Sequence, residues 1–104
     1  MSQLEAKDIV KKLALRLKEN KFDFSDIFLF GSYAKGKATK YSDIDVAVVS
    51  KKMSRNYEKN LDRLIKISFE TDDRIEVHAF APDDFKEGYP PLAHEVKLTG
   101  IKIV

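Results

Sequence analysis

Near the start of the chain Ala6, Ile9, Val10, Leu13, Ala14 and Leu17 fall at steps of three and four, and Ser2 stands three residues before Glu5. The first pattern puts the apolar positions on one face and the second is the spacing of a capping box, so a helix is predicted over about 3 to 19. The period then changes. Ile27 to Phe30 is a short apolar and aromatic run that stops at Gly31-Ser32, as a buried strand meeting a tight turn does. A polar loop containing Gly36 follows. Ile44 to Ser50 alternates, with Ile44, Val46 and Val48 on one side and Asp43, Asp45 and Ala47 on the other, which predicts a second strand. Ser54 is placed to cap a helix whose apolar stripe is Tyr57, Leu61, Leu64, Ile65 and Phe69. Asp72-Asp73 turns the chain into a third strand, Arg74 to Phe80, closed by Pro82. Pro91 suits a first helical position and Gly100 the residue past a helix end, so Leu92 to Thr99 reads as a short helix before the apolar tail Ile101 to Val104. Helices that alternate with short strands imply an α/β fold, a small mixed sheet with helices on one face.

Length and composition narrow this further. The 104 residues fit one domain, 1–104, and 43% hydrophobic residues give enough apolar surface for a folded core. The chain has no cysteine, which removes disulfides, thiolate metal sites and thiol nucleophiles together, so any metal must sit on oxygen or histidine. A net charge of +2 is too small to argue for nucleic acid. Lys51, Lys52 and Arg55 form a basic cluster, but acids between 58 and 73 offset it and no interleaved aromatics offer base stacking, so it does not read as a nucleic-acid platform. No apolar run approaches the about 20 residues of a membrane span, and the opening residues lack the basic-then-apolar order of a signal peptide. A cytoplasmic location is therefore expected.

The chemistry lies in Gly31-Ser32 and, ten residues further on, Asp43-Ile44-Asp45. Two acids at i and i+2 of a strand point to the same side, where they repel unless something cationic lies between them. Hard cations such as Mg²⁺ supply that charge and are usually held by one or two carboxylates together with substrate phosphates. A glycine at the end of the neighbouring strand lets the backbone approach closely, and the Ser32 hydroxyl with the following N–H groups can cradle a phosphate at a helix start. Glu76 alternates with Ile75 and Val77, so it can face Asp43 and Asp45 across the sheet while its neighbours enter the core. Its expected role is metal ligand or proton acceptor. Its structural reading is an edge-strand glutamate paired with Arg74 or a lysine. His78 shares the Glu76 face, but a lone strand histidine is more often structural, and it is left out of the catalytic set. Ser42 is read as shaping the turn.

The stretch GSYAKGKATKYSDIDVAVV resembles the signature of the DNA polymerase β-like nucleotidyltransferase superfamily, and the chain's small size resembles the minimal nucleotidyltransferase (MNT) members. The segment RIEVHAF resembles the strand that carries that family's third carboxylate. The resemblance implies a polymerase β-like palm fold. It implies that Asp43, Asp45 and Glu76 hold two Mg²⁺ ions and that Gly31, Ser32 and Lys35 bind ATP. Lys35 stands where many members carry arginine, which keeps the charge and loses the bidentate fork. It further implies a setting. Minimal members pair with a small helical HEPN toxin, so the expected function is transfer of AMP from ATP to a toxin hydroxyl, a tyrosine, with the chain acting as antitoxin. Two alternatives stand beside it. One is a binding antitoxin without turnover, and the other is a small-molecule or RNA nucleotidyltransferase that works with a second subunit. On the AMP-transfer reading an open acid face needs a partner to position the acceptor, and the apolar stretches Tyr89 to Leu92 and Ile101 to Val104 either form its contact surface or pack against the chain's own sheet.

Overall fold

In the computed structural model, which describes residues 1–104, Ser2 caps the first helix, α1 (Gln3–Glu19), with both halves of the capping box. Ser2 Oγ accepts from the Glu5 N–H at 3.1 Å and Glu5 Oε1 accepts from the Ser2 N–H at 3.0 Å. The chain continues through β1 (Asp26–Phe30), β2 (Ile44–Val49), a 3-10 turn over Lys51–Ser54, α2 (Tyr57–Thr71) and β3 (Ile75–Phe80). It ends with α3 (Pro82–Glu87), α4 (Pro91–Thr99) and the short β4 (Ile101–Lys102). The four strands form one sheet in the order β3-β2-β1-β4. The sheet is mixed: β1 runs antiparallel to both β2 and β4, while β2 and β3, joined through α2, are parallel.

Strand alternation sorts the side chains into two layers. Ile27, Leu29, Ile44, Val46 and Val48 face α1 and α2, where they form the main core with Val10, Leu13, Leu17, Leu64 and Ile67. This is the helix-covered face that the sequence predicts. The opposite face carries Phe28, Phe30, Ala47 and Phe80, and α3 and α4 cover part of it with Phe85, Leu92, Ala93 and Val96. The cover reaches only these apolar positions. At the start of β2 and β3 the same face bears Asp45 and Glu76 and stays open.

Three local expectations are corrected and one short helix is added. Ser54 does not cap α2; it ends the 3-10 turn, and α2 begins after Asn56 in a left-handed conformation. The cause is Ser50, whose buried hydroxyl donates to the Asp23 carbonyl at 2.5 Å and accepts from the Lys52 N–H, so the chain winds tightly before the helix can start. Within α2 the buried positions are Leu64, Ile67 and Ser68, whereas Tyr57, Ile65 and Phe69 are exposed and Leu61 is half-buried. Residues 57, 61, 65 and 69 make an i+4 ridge outside the core, with Tyr57 and Leu61 beside the outer edge of β3. The six-residue α3 was not predicted because it is too short to show a period; Pro82 ends β3 and opens α3 at the same point. The tail is not a free contact surface, since Ile101-Lys102 pairs with Leu29-Phe28 and Ile101 and Ile103 pack on the main core. Gly100 has an ordinary φ of -73°, and its need for glycine is steric: a Cβ there would lie 2.5 Å from the Val96 carbonyl oxygen.

The assignment of the α2 faces has a direct check. Leu64→Ala should cost about 2–5 kcal/mol in urea unfolding, while Phe69→Ser should change stability by no more than about 0.5 kcal/mol. No helix is long and apolar enough to cross a membrane.

Candidate active site

Parallel pairing sets Asp45 directly beside Glu76 in register, and antiparallel pairing sets Phe30 on the other side of Asp45. The three strands thus converge on one carboxylate. His78, two residues along β3, faces the same way, and ligand atoms of Asp45, Glu76 and His78 all lie within 4.8 Å of one another. His78 Nε2 is 3.7 Å from Glu76 Oε1, and the imidazole stacks edge-on to Phe30 with centroids 5.3 Å apart, which fixes the ring beside the acids. His78 is the residue that sequence reasoning set aside. Its signal was present in the alternation that chose Glu76, and what the sequence lacks is the packing of Phe30 against the ring.

Asp43 lies one residue before β2 begins and is exposed, outside the group that Asp45, Glu76 and His78 form. Its charge still reaches Asp45. Partial burial, the neighbouring Glu76 charge and a hydrogen bond to Glu76, then the charges of Asp43 and Glu95, push the Asp45 carboxyl from its ordinary 3.8 up to about 6. The salt bridges of the chain include neither Asp43 nor Asp45. Arg74, the sequence-level rival for Glu76, is taken by Asp72: its Nε and Nη2 donate to Asp72 Oδ1 and Oδ2 at 2.9 and 2.7 Å, holding the Asp72 carboxyl below its usual range. Glu76 therefore has no lysine or arginine partner, and its one close basic neighbour is the His78 imidazole.

Gly31 explains how the turn and the acids fit together. It ends β1 with a φ of +73°, and a Cβ built on it would lie 2.1 Å from Asp45 Oδ2. The Asp45 carboxylate occupies the space that any other side chain at 31 would take. Residues 31–36 form turns, with the Lys35 N–H donating to the Gly31 carbonyl at 3.1 Å and the Lys37 N–H to the Ser32 carbonyl at 2.9 Å. The expected helix start is not formed; the winding stops at Gly36, which adopts a φ of +71°. Lys35, expected to meet phosphate, donates through Nζ to Glu95 Oε1 of α4 at 2.9 Å. Ser42 shapes the turn as expected, accepting from the Thr39 N–H at 2.9 Å. Glu95 is a further acid of this region that no sequence motif marked, because α4 reaches it only through the tertiary fold.

The donor set fits a hard divalent cation. Oxygen ligands predominate, and a cation between Asp45 and Glu76 would offset both the burial and the repulsion that raise Asp45. His78 adds a nitrogen donor at the edge.

Comparison with known proteins agrees with this geometry. Residues 10–98 match the family model of the nucleotidyltransferase domain. Among solved structures the chain is similar to a candidate nucleotidyltransferase from Sulfolobus solfataricus, with a TM-score of 0.70 and 13% identity over 96% of this chain and 80% of that one. At that identity the likeness speaks for the fold. No curated protein matches the chain. With the family match running from α1 through α4 and the acids at the sheet's open end, the chain belongs to the nucleotidyltransferase domain family.

Proposed function

We propose that the chain transfers AMP from ATP to a hydroxyl of a partner protein in a Mg²⁺-dependent reaction, using Asp43, Asp45 and Glu76 as its acid groups. The observation that carries this reading is the in-register pairing of Asp45 with Glu76, with the Asp45 carboxylate seated in the space that the missing side chain of Gly31 leaves. Two Mg²⁺ ions held by Asp43, Asp45 and Glu76 would place positive charge on the entering and leaving oxygens. The Gly31-Ser32 turn would receive the triphosphate beside the Asp45 carboxylate, through the Ser32 hydroxyl and the N–H groups of the turn. Lys35 would then exchange Glu95 for phosphate oxygen. The acceptor oxygen forms a bond to the α-phosphorus, and the bond from that phosphorus to the bridging oxygen breaks. Pyrophosphate leaves with the electron pair, and the hydroxyl proton passes to Glu76, which accepts it beside His78.

The resemblance to minimal nucleotidyltransferases supports a HEPN-type toxin as the partner and its tyrosine as the acceptor, which makes the chain an antitoxin. Mass spectrometry of the helical product of the neighbouring reading frame, after incubation with this chain, ATP and Mg²⁺, should find AMP on a tyrosine. An unmodified partner that is still bound and silenced would show that binding alone neutralises it. Within the site, Glu76→Gln should lower turnover far more than ATP binding, as expected of a group that matters in the transition state. Asp73→Asn, in the exposed turn before β3, should leave both unchanged. Steady-state rates beside calorimetric ATP affinities check the pair, and the reverse ranking would assign the third acid to the turn.

A further inference from the structure

β3 is the outer strand of the sheet on the side of the acid site. Its backbone phase follows from two hydrogen bonds at the ends of the ladder: the Ile44 N–H donates to the Arg74 carbonyl and the Ser50 N–H to the Phe80 carbonyl. In a parallel pair this turns the peptide groups of Glu76 and His78 toward β2 and those of Ile75, Val77 and Ala79 outward. The Ile75 N–H is taken by the Asp72 carbonyl at 3.2 Å. Val77 and Ala79 are left presenting two N–H and two C=O groups to the open edge.

A groove runs along this edge. Tyr57 and Leu61 of α2 wall it on one side of the sheet, and Pro90 and Leu92 at the start of α4 wall it on the other, with His78 in its lining. At about 260 Å³ it is smaller than the about 300–1,000 Å³ of pockets that hold drug-sized ligands. The exposed α2 ridge thus meets a row of unpaired backbone groups, and an apolar wall closes the far side. An extended polypeptide has the matching form. Its backbone pairs with Val77 and Ala79, and its alternate side chains fall to the α2 and α4 walls in turn. A second copy of this chain fits less well, because its own α2 and α4 flank its β3 edge and would meet these walls.

We propose that this groove is the acceptor subsite: an extended segment of the partner protein adds to β3 as a fifth strand and delivers a hydroxyl side chain along the His78 face to Glu76 and Asp45. This rests on the protein-acceptor reading above and adds to it where the acceptor lies and how it is held. Recognition is mainly through the backbone, so the segment needs apolar residues on both sides of the hydroxyl residue and no proline at the pairing positions.

The test uses the ¹⁵N-labelled full chain and the blocked peptide acetyl-Thr-Val-Tyr-Val-Thr-amide, followed by amide shifts and hydrogen exchange. At saturating peptide the Val77 and Ala79 amides should shift and their exchange should slow about tenfold. The same peptide N-methylated at alternate amides should do neither, and Leu61→Glu or Tyr57→Lys should abolish the effect while the rest of the spectrum stays that of the folded chain. ATP with Mg²⁺ should move the Gly31, Ser32 and Asp45 amides in the parent chain and in Leu61→Glu alike. Loss of that second response alone would count against the nucleotide site, not against the groove. Unchanged Val77 and Ala79 amides, binding indifferent to N-methylation, or edge protection without peptide in a chain of doubled mass would overturn the proposal.

Discussion

Replacing Asp45 with asparagine should abolish AMP transfer and at the same time make the metal-free protein more stable at neutral pH. The second effect follows from the sign of the perturbation. The folded-state carboxyl titrates at about 6, above its ordinary 3.8, so between these values the folded chain keeps a proton that the unfolded chain releases. Stability is then complete below the lower value and is lost as pH rises through the upper one. Asparagine cannot ionise, and the variant escapes this loss. Because Asp45 is only partly buried, solvent screening leaves about 1 kcal/mol of the effect, which in a domain of this size is about 4–8 °C in Tm. Mg²⁺ should reverse the order. Above pH 6 the cation competes with the proton for Asp45, so Mg²⁺ should raise the Tm of the parent chain, lose that effect as pH falls through 6, and do nothing for Asp45→Asn. Thermal melts with Mg²⁺ or with chelator, on both sides of that pH, decide it. An Asp45→Asn chain that melts lower at neutral pH would mean that the carboxylate is stabilised by a partner not seen in the fold.

Gly31→Ala should damage both stability and activity. The left-handed backbone costs a non-glycine residue about 1–2 kcal/mol. The added Cβ would also lie 2.1 Å from Asp45 Oδ2, so the carboxylate must move out of register with Glu76. Gly36 supplies the control. It has nearly the same φ, +71°, but nothing lies within 4 Å of its Cβ position, so Gly36→Ala should show the conformational cost alone and keep transfer activity. Urea midpoints and transfer rates for the two variants separate strain from displacement of the acid. Equal losses of activity would contradict the role given to Gly31.

What could be read from the sequence was whatever depends on short-range pattern. The Ser2–Glu5 cap, the α1 stripe and the alternation of β2 and β3 are local, and they placed Asp45 and Glu76 on one face before any pairing was known. The α2 stripe holds at Leu64 and fails around it, because residues 57, 61, 65 and 69 are also apolar at helical spacing and only contact with the sheet selects Leu64 and Ile67. The Gly31-Ser32 motif marked the turn but not its reason, since the Asp45 carboxylate that fills the empty Cβ space is fourteen residues away in sequence. His78 and Glu95 joined the site through Phe30 packing and the fold of α4, and neither is encoded at fixed spacing from the acid pair. Lys35 was placed correctly in the loop, while its bond to Glu95 depends on a helix sixty residues further on.

A nucleotidyltransferase site moves the α-phosphoryl group with its nucleoside and not the terminal phosphate. Incubation of the chain and its partner protein with Mg²⁺ and ATP labelled either at the α- or at the γ-phosphorus tests it directly. Covalent label on the partner from the α-position, none from the γ-position, and neither with Asp45→Asn is the expected result. Label from the γ-position would contradict it.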